Sequence, residues 1–174
     1  MQNAQKEKIK PALLVIDIQN TFLKYIPDQD KENAMTMINY YIEMFRQYNC
    51  PVINIYHYSK EKGPEQGTQE FEFSASVPIK PEDPRIIKTY PDSFNKTELD
   101  KVLREKGCNT LFLSGLSSVG CVLATWLGAF NHDYKAFLIK DATMCHKKQY
   151  TNNIELMFDA VGHDVIQLIL ENTE

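Results

Sequence analysis

Three side chains of complementary chemistry sit at the ends of apolar runs: Asp17, Lys88 and Cys121. Cys121 follows Leu111-Phe112-Leu113-Ser114-Gly115-Leu116-Ser117-Ser118-Val119-Gly120 and precedes Val122-Leu123-Ala124-Thr125-Trp126. An apolar strand runs into a small-residue turn, and the cysteine opens the next helix. A thiol there meets unpaired backbone N–H groups and the positive end of the helix dipole, both of which favour thiolate. Thiolate is the nucleophilic form, so the placement predicts a reactive cysteine. Asp17 closes an apolar run with Ile16 and Ile18 beside it, where a carboxylate is costly to bury unless paired. Lys88 ends Arg85-Ile86-Ile87-Lys88. Each residue taken alone has a plainer reading: a packing thiol, a turn carboxylate, a solvated lysine. Together they supply a nucleophile, a proton acceptor and a cation.

The elements that must position them alternate in type. Pro11-Ala12-Leu13-Leu14-Val15-Ile16-Asp17-Ile18 is almost continuously apolar, as expected of a central strand covered on both faces. From Asp30 to Tyr48 apolar residues recur at helical spacing (Met35, Ile38, Ile42, Phe45). Pro51 to His57 is a second strand, and the polar stretch from Ser59 to Pro84, with its Gly63-Pro64, Gly67, Pro78 and Pro81, is a long excursion. Arg85 to Lys88 is the third strand; Thr97 caps a helix through Arg104, closed by Gly107. A fourth strand spans Thr110 to Ser114, a helix Gly120 to Asn131, and a fifth strand Tyr134 to Lys140. A helix from Thr151 to Val161 follows, and Asp164-Val165-Ile166 begins a sixth strand. The alternation predicts right-handed crossovers and an α/β, doubly wound, mostly parallel six-stranded sheet flanked by helices. Ligands of such sheets bind beyond the carboxyl ends of the strands, and that edge is where Asp17, Lys88 and Cys121 all fall.

Composition narrows the class. The chain has 174 residues, 43% hydrophobic and 24% charged, with a formal net charge of -4. That describes a soluble globular protein with a single domain over 1–174. No dense Lys/Arg block offers a footprint for nucleic acid, and no apolar run approaches the roughly 18 residues of a membrane span. The polar start Met1-Gln2-Asn3-Ala4-Gln5-Lys6-Glu7-Lys8 lacks the apolar core of a signal peptide. Cys50, Cys108, Cys121 and Cys145 are widely spaced, which favours reduced thiols and a cytoplasmic setting.

These segments resemble, in order and over nearly the whole chain, the isochorismatase-like cysteine hydrolase superfamily. That group includes nicotinamidases, N-carbamoylsarcosine amidohydrolases, ureidoacrylate amidohydrolases and true isochorismatases. Ala12 to Phe22 is similar to its strand-one motif with the catalytic Asp; Lys88-Thr89-Tyr90-Pro91-Asp92-Ser93-Phe94 with Thr97-x-Leu99 to its lysine segment; Gly115 to Thr125 to its cysteine segment; and Lys140-Asp141-Ala142 to its Asp-Ala ending strand five. The resemblance implies strand order 3-2-1-4-5-6, an Asp17/Lys88/Cys121 catalytic triad, and a cis peptide between Leu116 and Ser117. It also implies an oxyanion hole formed by the backbone N–H groups of Ser117 and Cys121, and a homo-oligomer. Asn20-Thr21-Phe22 replaces the commoner Asn-Asp-Phe, and Ser117-Ser118-Val119-Gly120 is an unusual approach to the cysteine.

Metal-binding members carry an Asp-x-His signature and a further His after strand two. Here that region reads Tyr56-His57-Tyr58-Ser59-Lys60, which predicts no metal and no cofactor and makes His57 a polar pocket residue. Phe22, Tyr56, His57 and Tyr90 are expected to shape a small-molecule substrate pocket. The leading function is hydrolysis of a small amide or other C–N bond through a Cys121 thioester. The alternatives are an isochorismatase-type vinyl-ether hydrolase using Asp17 as acid, and a non-catalytic ligand-binding or scaffold protein.

Overall fold

The computed structural model describes residues 8–59, 61, 63–158 and 160–173. Strand β1 (Pro11–Ile16) is buried at every position, as its unbroken apolar run requires. It pairs in parallel with β2 (Val52–His57) on one side and with β4 (Thr110–Leu116) on the other. β3 (Arg85–Lys88) lies outside β2, and β5 (Lys135–Met144) outside β4, giving a parallel sheet of order β3-β2-β1-β4-β5.

Alternation along β1 divides the core. Leu13 and Val15 face a layer that contains α2 (Asp28–Gln47) and α6 (His163–Glu171). Ala12, Leu14 and Ile16 face α3 (Leu99–Glu105), α4 (Leu123–Asn131) and α5 (Lys148–Met157). Helix α2 buries Ala34, Met35, Ile38, Tyr41, Ile42 and Phe45 on one stripe. Each large apolar side chain fully removed from water contributes about 1.5–3 kcal/mol. A short helix, α1 (Asn20–Leu23), follows β1.

The sheet has five strands rather than six. Residues 164–166 belong to α6, where Ile166 and Leu170, one helical turn apart, are both fully buried. A three-residue apolar cluster fits strand and helix alike; the i, i+4 burial decides it. What remains of a sixth strand is one parallel bridge, Ile139 to Val161. In compensation β5 runs on past Lys140 to Met144, with a register shift against β4 between Leu113 and Gly115.

The excursion after β2 is packed down rather than extended into solvent. Phe71, Phe73 and Val77 are buried, Phe73 bridges to Gln19, and Tyr56 stacks on Phe73 at 4.2 Å between ring centres.

Gly115 shows how tightly the strand ends meet at the sheet edge. Its φ is +112°, and a Cβ there would overlap the Ile16 carbonyl oxygen and sit 2.8 Å from the Ile16 nitrogen. Both atoms are backbone, so neither can rotate away. Gly115→Ala is expected to destabilise the fold by about 2 kcal/mol or more, read as a lower midpoint in urea unfolding. An unchanged midpoint would show that β1 and β4 can separate at this point.

Candidate active site

Asp17 leaves β1 in the left-handed conformation, φ +54°, and its N–H donates to the Ile55 carbonyl at 2.9 Å. This turn places the carboxylate at the carboxyl edge of the sheet while keeping it 2% exposed. Lys88 is the last residue of β3, in register with His57 of β2. Its side chain crosses the end of β2 to reach the neighbouring strand's carboxylate. Nζ donates to Asp17 Oδ2 at 2.8 Å and to the Tyr90 carbonyl at 3.3 Å, and lies 3.4 Å from His57 Nδ1. The ammonium is 1% exposed, so these groups replace its water shell. With Nζ as donor, His57 presents Nδ1 as acceptor and carries its proton on Nε2. Burial and the Lys88 charge both push the His57 pKa down, keeping the imidazole neutral.

Cys121 enters from β4. The Leu116–Ser117 peptide is cis, Ser117 is extended, and a single π-turn (Ser118–Val122) leads into α4. The Ser117 carbonyl turns back to accept the N–H groups of Gly120 and Val122 at 2.9 and 3.2 Å. Ser118 and Thr151 share a buried hydroxyl hydrogen bond of 3.0 Å, anchoring the turn to α5. The Ser93 and Thr125 hydroxyls, 2.7 Å apart, tie the segment after Lys88 to α4. The result brings the Cys121 sulfur, an Asp17 carboxylate oxygen and a His57 ring nitrogen within 4.8 Å of one another.

Electrostatics here differ from the expectation for an exposed thiol at a helix start. Burial, reinforced by the Asp17 charge, pushes the Cys121 pKa up to about 12, and the Lys88 charge offsets only part of this. At rest the group is a thiol beside a carboxylate. Burial also raises the Asp17 carboxyl above its ordinary 3.8, against the pull of Lys88 and of contacts with Cys121 and His57. A carboxylate with a raised pKa is a stronger base than an ordinary one, and a pKa closer to the operating pH suits a group that takes up a proton and gives it back.

The site opens into a pocket of about 280 Å³. Asp17, His57, Ser117 and Cys121 form its floor, with Phe22, Tyr25, Ile26, Leu116 and His146 around them. Of the residues expected to shape it, Phe22 and His57 do so, their rings edge to face at 6.0 Å. Tyr56 and Tyr90 do not. Strand alternation sends Tyr56 to the opposite face of β2 from His57, into the stack with Phe71 and Phe73. The Tyr90 ring faces outward, its hydroxyl accepting from Lys96 Nζ at 3.1 Å, and only its carbonyl reaches the site.

Sequence reasoning missed Gln19, which is wholly buried and holds the site from beneath. Its Nε2 donates to the His57 and Phe71 carbonyls at 3.0 and 2.8 Å, and its Oε1 accepts the His57 N–H at 2.7 Å. An uncharged amide two residues beyond the acid, directly after Ile18 at the end of the apolar run, was the available signal. His146 was missed because the fifth strand was expected to stop six residues before it.

Asp17, His57 and Cys121 also form the cluster of metal-ligating side chains among the described residues. The Lys88 ammonium stands against Asp17 Oδ2 and His57 Nδ1, and a second cation bound at those two atoms would be repelled at close range. Turnover is accordingly expected to survive exhaustive chelation; loss on chelation with recovery on added zinc would contradict this.

The family model described as Isochorismatase domain matches residues 11–167. YddQ, an isochorismatase family protein of Bacillus subtilis, is 30% identical over 140 residues, covering 75% of this chain and 76% of its own. Ureidoacrylate amidohydrolase RutB of Variovorax paradoxus is 32% identical over 102 residues, which is 56% of this chain and 40% of that protein. Among solved structures, N-carbamoylsarcosine amidase from Thermoplasma acidophilum superposes with a TM-score of 0.75 at 23% identity, covering 88% of this chain and 95% of that one. The parallel sheet flanked by helices is the fold of isochorismatase-like hydrolases. The chain belongs to the isochorismatase family. No helix among the described residues is long and apolar enough to cross a membrane.

Proposed function

We propose that the protein hydrolyses the C–N bond of a small amide through a thioester on Cys121. The observation that carries this reading is the buried line Lys88–Asp17–Cys121, in which the ammonium clamps one carboxylate oxygen at 2.8 Å. Asp17 Oδ1 is buried and accepts no hydrogen bond of standard geometry from the described residues. It is the oxygen suited to take the thiol proton. Two relatives whose names describe C–N bond hydrolases, RutB and N-carbamoylsarcosine amidase, add support.

Binding of substrate brings its carbonyl carbon to the sulfur. Asp17 takes the thiol proton as the S–C bond forms, so the unfavourable thiolate exists only in the presence of an electrophile. The carbonyl oxygen becomes an oxyanion held by the N–H groups of Ser117 and Cys121. Asp17 then gives its proton to the amine as the C–N bond breaks, leaving a thioester. A water molecule passes a proton to Asp17 and attacks the thioester carbonyl; the C–S bond breaks and the sulfur recovers its proton. Throughout, Lys88 neutralises the carboxylate and His57 stays uncharged beside it.

Asp17 accepts a proton only when ionised. kcat/KM is therefore expected to be full above the Asp17 pKa and to fall as pH drops through it. Because burial raises that pKa, the acid limb should lie above the ordinary carboxyl value of 3.8. An acid limb at or below that value would remove Asp17 from the role of base. The direct test of the reaction is ammonia release across a panel of primary amides and ureido acids, with isochorismate included to read the vinyl-ether alternative.

A further inference from the structure

The mechanism leaves unused a second thiol–imidazole pair at the mouth of the same pocket. Because β5 continues to Met144, the next two residues reach the carboxyl edge of the sheet beside Leu116 and Ser117. Cys145 is 1% exposed, and its sulfur lies 3.2 Å from His146 Nδ1. His146 is exposed and lines the pocket. Its ring meets Tyr150 of α5 edge to face at 5.5 Å and 80°. The imidazole thus meets a buried thiol at one nitrogen and a tyrosine ring at right angles.

S–H is a weak donor and sulfur a weak acceptor, so the direction of this contact follows the His146 tautomer; we take the S–H as donor to Nδ1. That places the His146 proton on Nε2, the nitrogen away from Cys145, where no described residue accepts it. Phe22, Ile26 and Leu116 give the wall an apolar surface, and apart from Asp17, His57, Ser117 and Cys121 at the reacting centre the polar groups of the lining are His146 and the Tyr25 hydroxyl. A few placed polar groups in an otherwise apolar pocket fix a ligand's orientation.

We infer that His146 is a specificity-determining residue whose Nε2–H recognises a hydrogen-bond acceptor on the part of the substrate remote from the scissile carbonyl, and that Cys145 is the positioning residue that sets its tautomer. This rests on the amide reading for the identity of the remote group. It favours amides whose acyl portion carries a ring nitrogen or carbonyl oxygen over purely hydrocarbon ones.

The test uses benzamide, nicotinamide and isonicotinamide, which share one shape and differ by a ring nitrogen. Binding is measured by calorimetry on a Cys121→Ala background, so that turnover is not needed for the result. His146→Ala is expected to weaken binding of the better-bound pyridine amide about tenfold, the size of one neutral hydrogen bond, while changing benzamide less than about twofold. His146→Gln, which keeps a donor, should restore part of the loss. In selectively 15N-labelled wild-type protein, the His146 Nδ1 resonance should be that of an unprotonated acceptor. Cys145→Ala should mix the tautomers, and Cys145→Ser should restore the wild-type pattern. A proton on Nδ1, equal weakening of benzamide and the pyridine amides, or no binding of either pyridine amide would each overturn the inference. Absence of amide turnover by the wild-type enzyme, with these binding and tautomer results intact, would instead remove the amide reading alone.

Discussion

Cys121→Ala is expected to lower amide hydrolysis by about 10⁴-fold or more, with substrate binding retained, because Cys121 is the one thiol among the described residues that line the pocket. Cys121→Ser should be nearly as damaging. A serine hydroxyl is a far weaker acid than a thiol, and the burial and neighbouring carboxylate that already push Cys121 up to about 12 would oppose its ionisation further. In wild-type enzyme quenched during turnover, mass spectrometry should find the acyl group on the peptide that carries Cys121. If Cys121→Ala keeps most of its activity, the thioester route is wrong. Hydrolysis of isochorismate by that variant would point to Asp17 acting alone as an acid on a vinyl ether.

Lys88→Met should produce the largest combined effect on stability and activity. The substitution preserves length and removes the ammonium, leaving the Asp17 carboxylate 2% exposed without its ion partner. Breaking one side of a buried pair costs about 3–5 kcal/mol, which for a chain of this size lowers Tm by roughly 10 °C. Asp17→Asn alone leaves the buried ammonium without its carboxylate and should cost a similar amount. The double variant Asp17→Asn/Lys88→Met removes both charges and should recover much of the lost Tm while remaining inactive. Recovery of stability without activity separates the pair's structural contribution from its chemistry. If Lys88→Met melts like the wild type and turns over substrate, the ion pair has neither role.

Much of the framework is legible in the sequence because it depends on local pattern. Mostly apolar runs at 11–16, 51–57 and 110–114 read as strands covered on both faces, and the structure has strands there. Their alternation with helical periodicity leaves few topologies other than the parallel one. Asp17, Lys88 and Cys121 were legible for the same reason: each lies at or just beyond a strand's carboxyl end, and in such sheets those ends share an edge. Short elements were less legible. Residues 164–166 carry too few apolar positions to distinguish a period of 2 from one of 3.6, and the answer came from burial of Ile166 and Leu170 together.

The amino-acid sequence by itself determined which chemistry is present: a thiol, a carboxylate, an amine and an imidazole, each tied to a strand. Only the tertiary structure decided their protonation and their partners. Lys88 reaches Asp17 because β2 lies between their strands and His57 leaves room beside its Nδ1. Cys121 is a thiol at rest because burial and the adjacent carboxylate outweigh the nearby cation. His146 belongs to the pocket, and Tyr56 and Tyr90 do not, because strand length and side-chain alternation set which way each residue faces. Free energies of ionisation depend on desolvation and on distances across strands far apart in sequence, and no local pattern of residues encodes those distances.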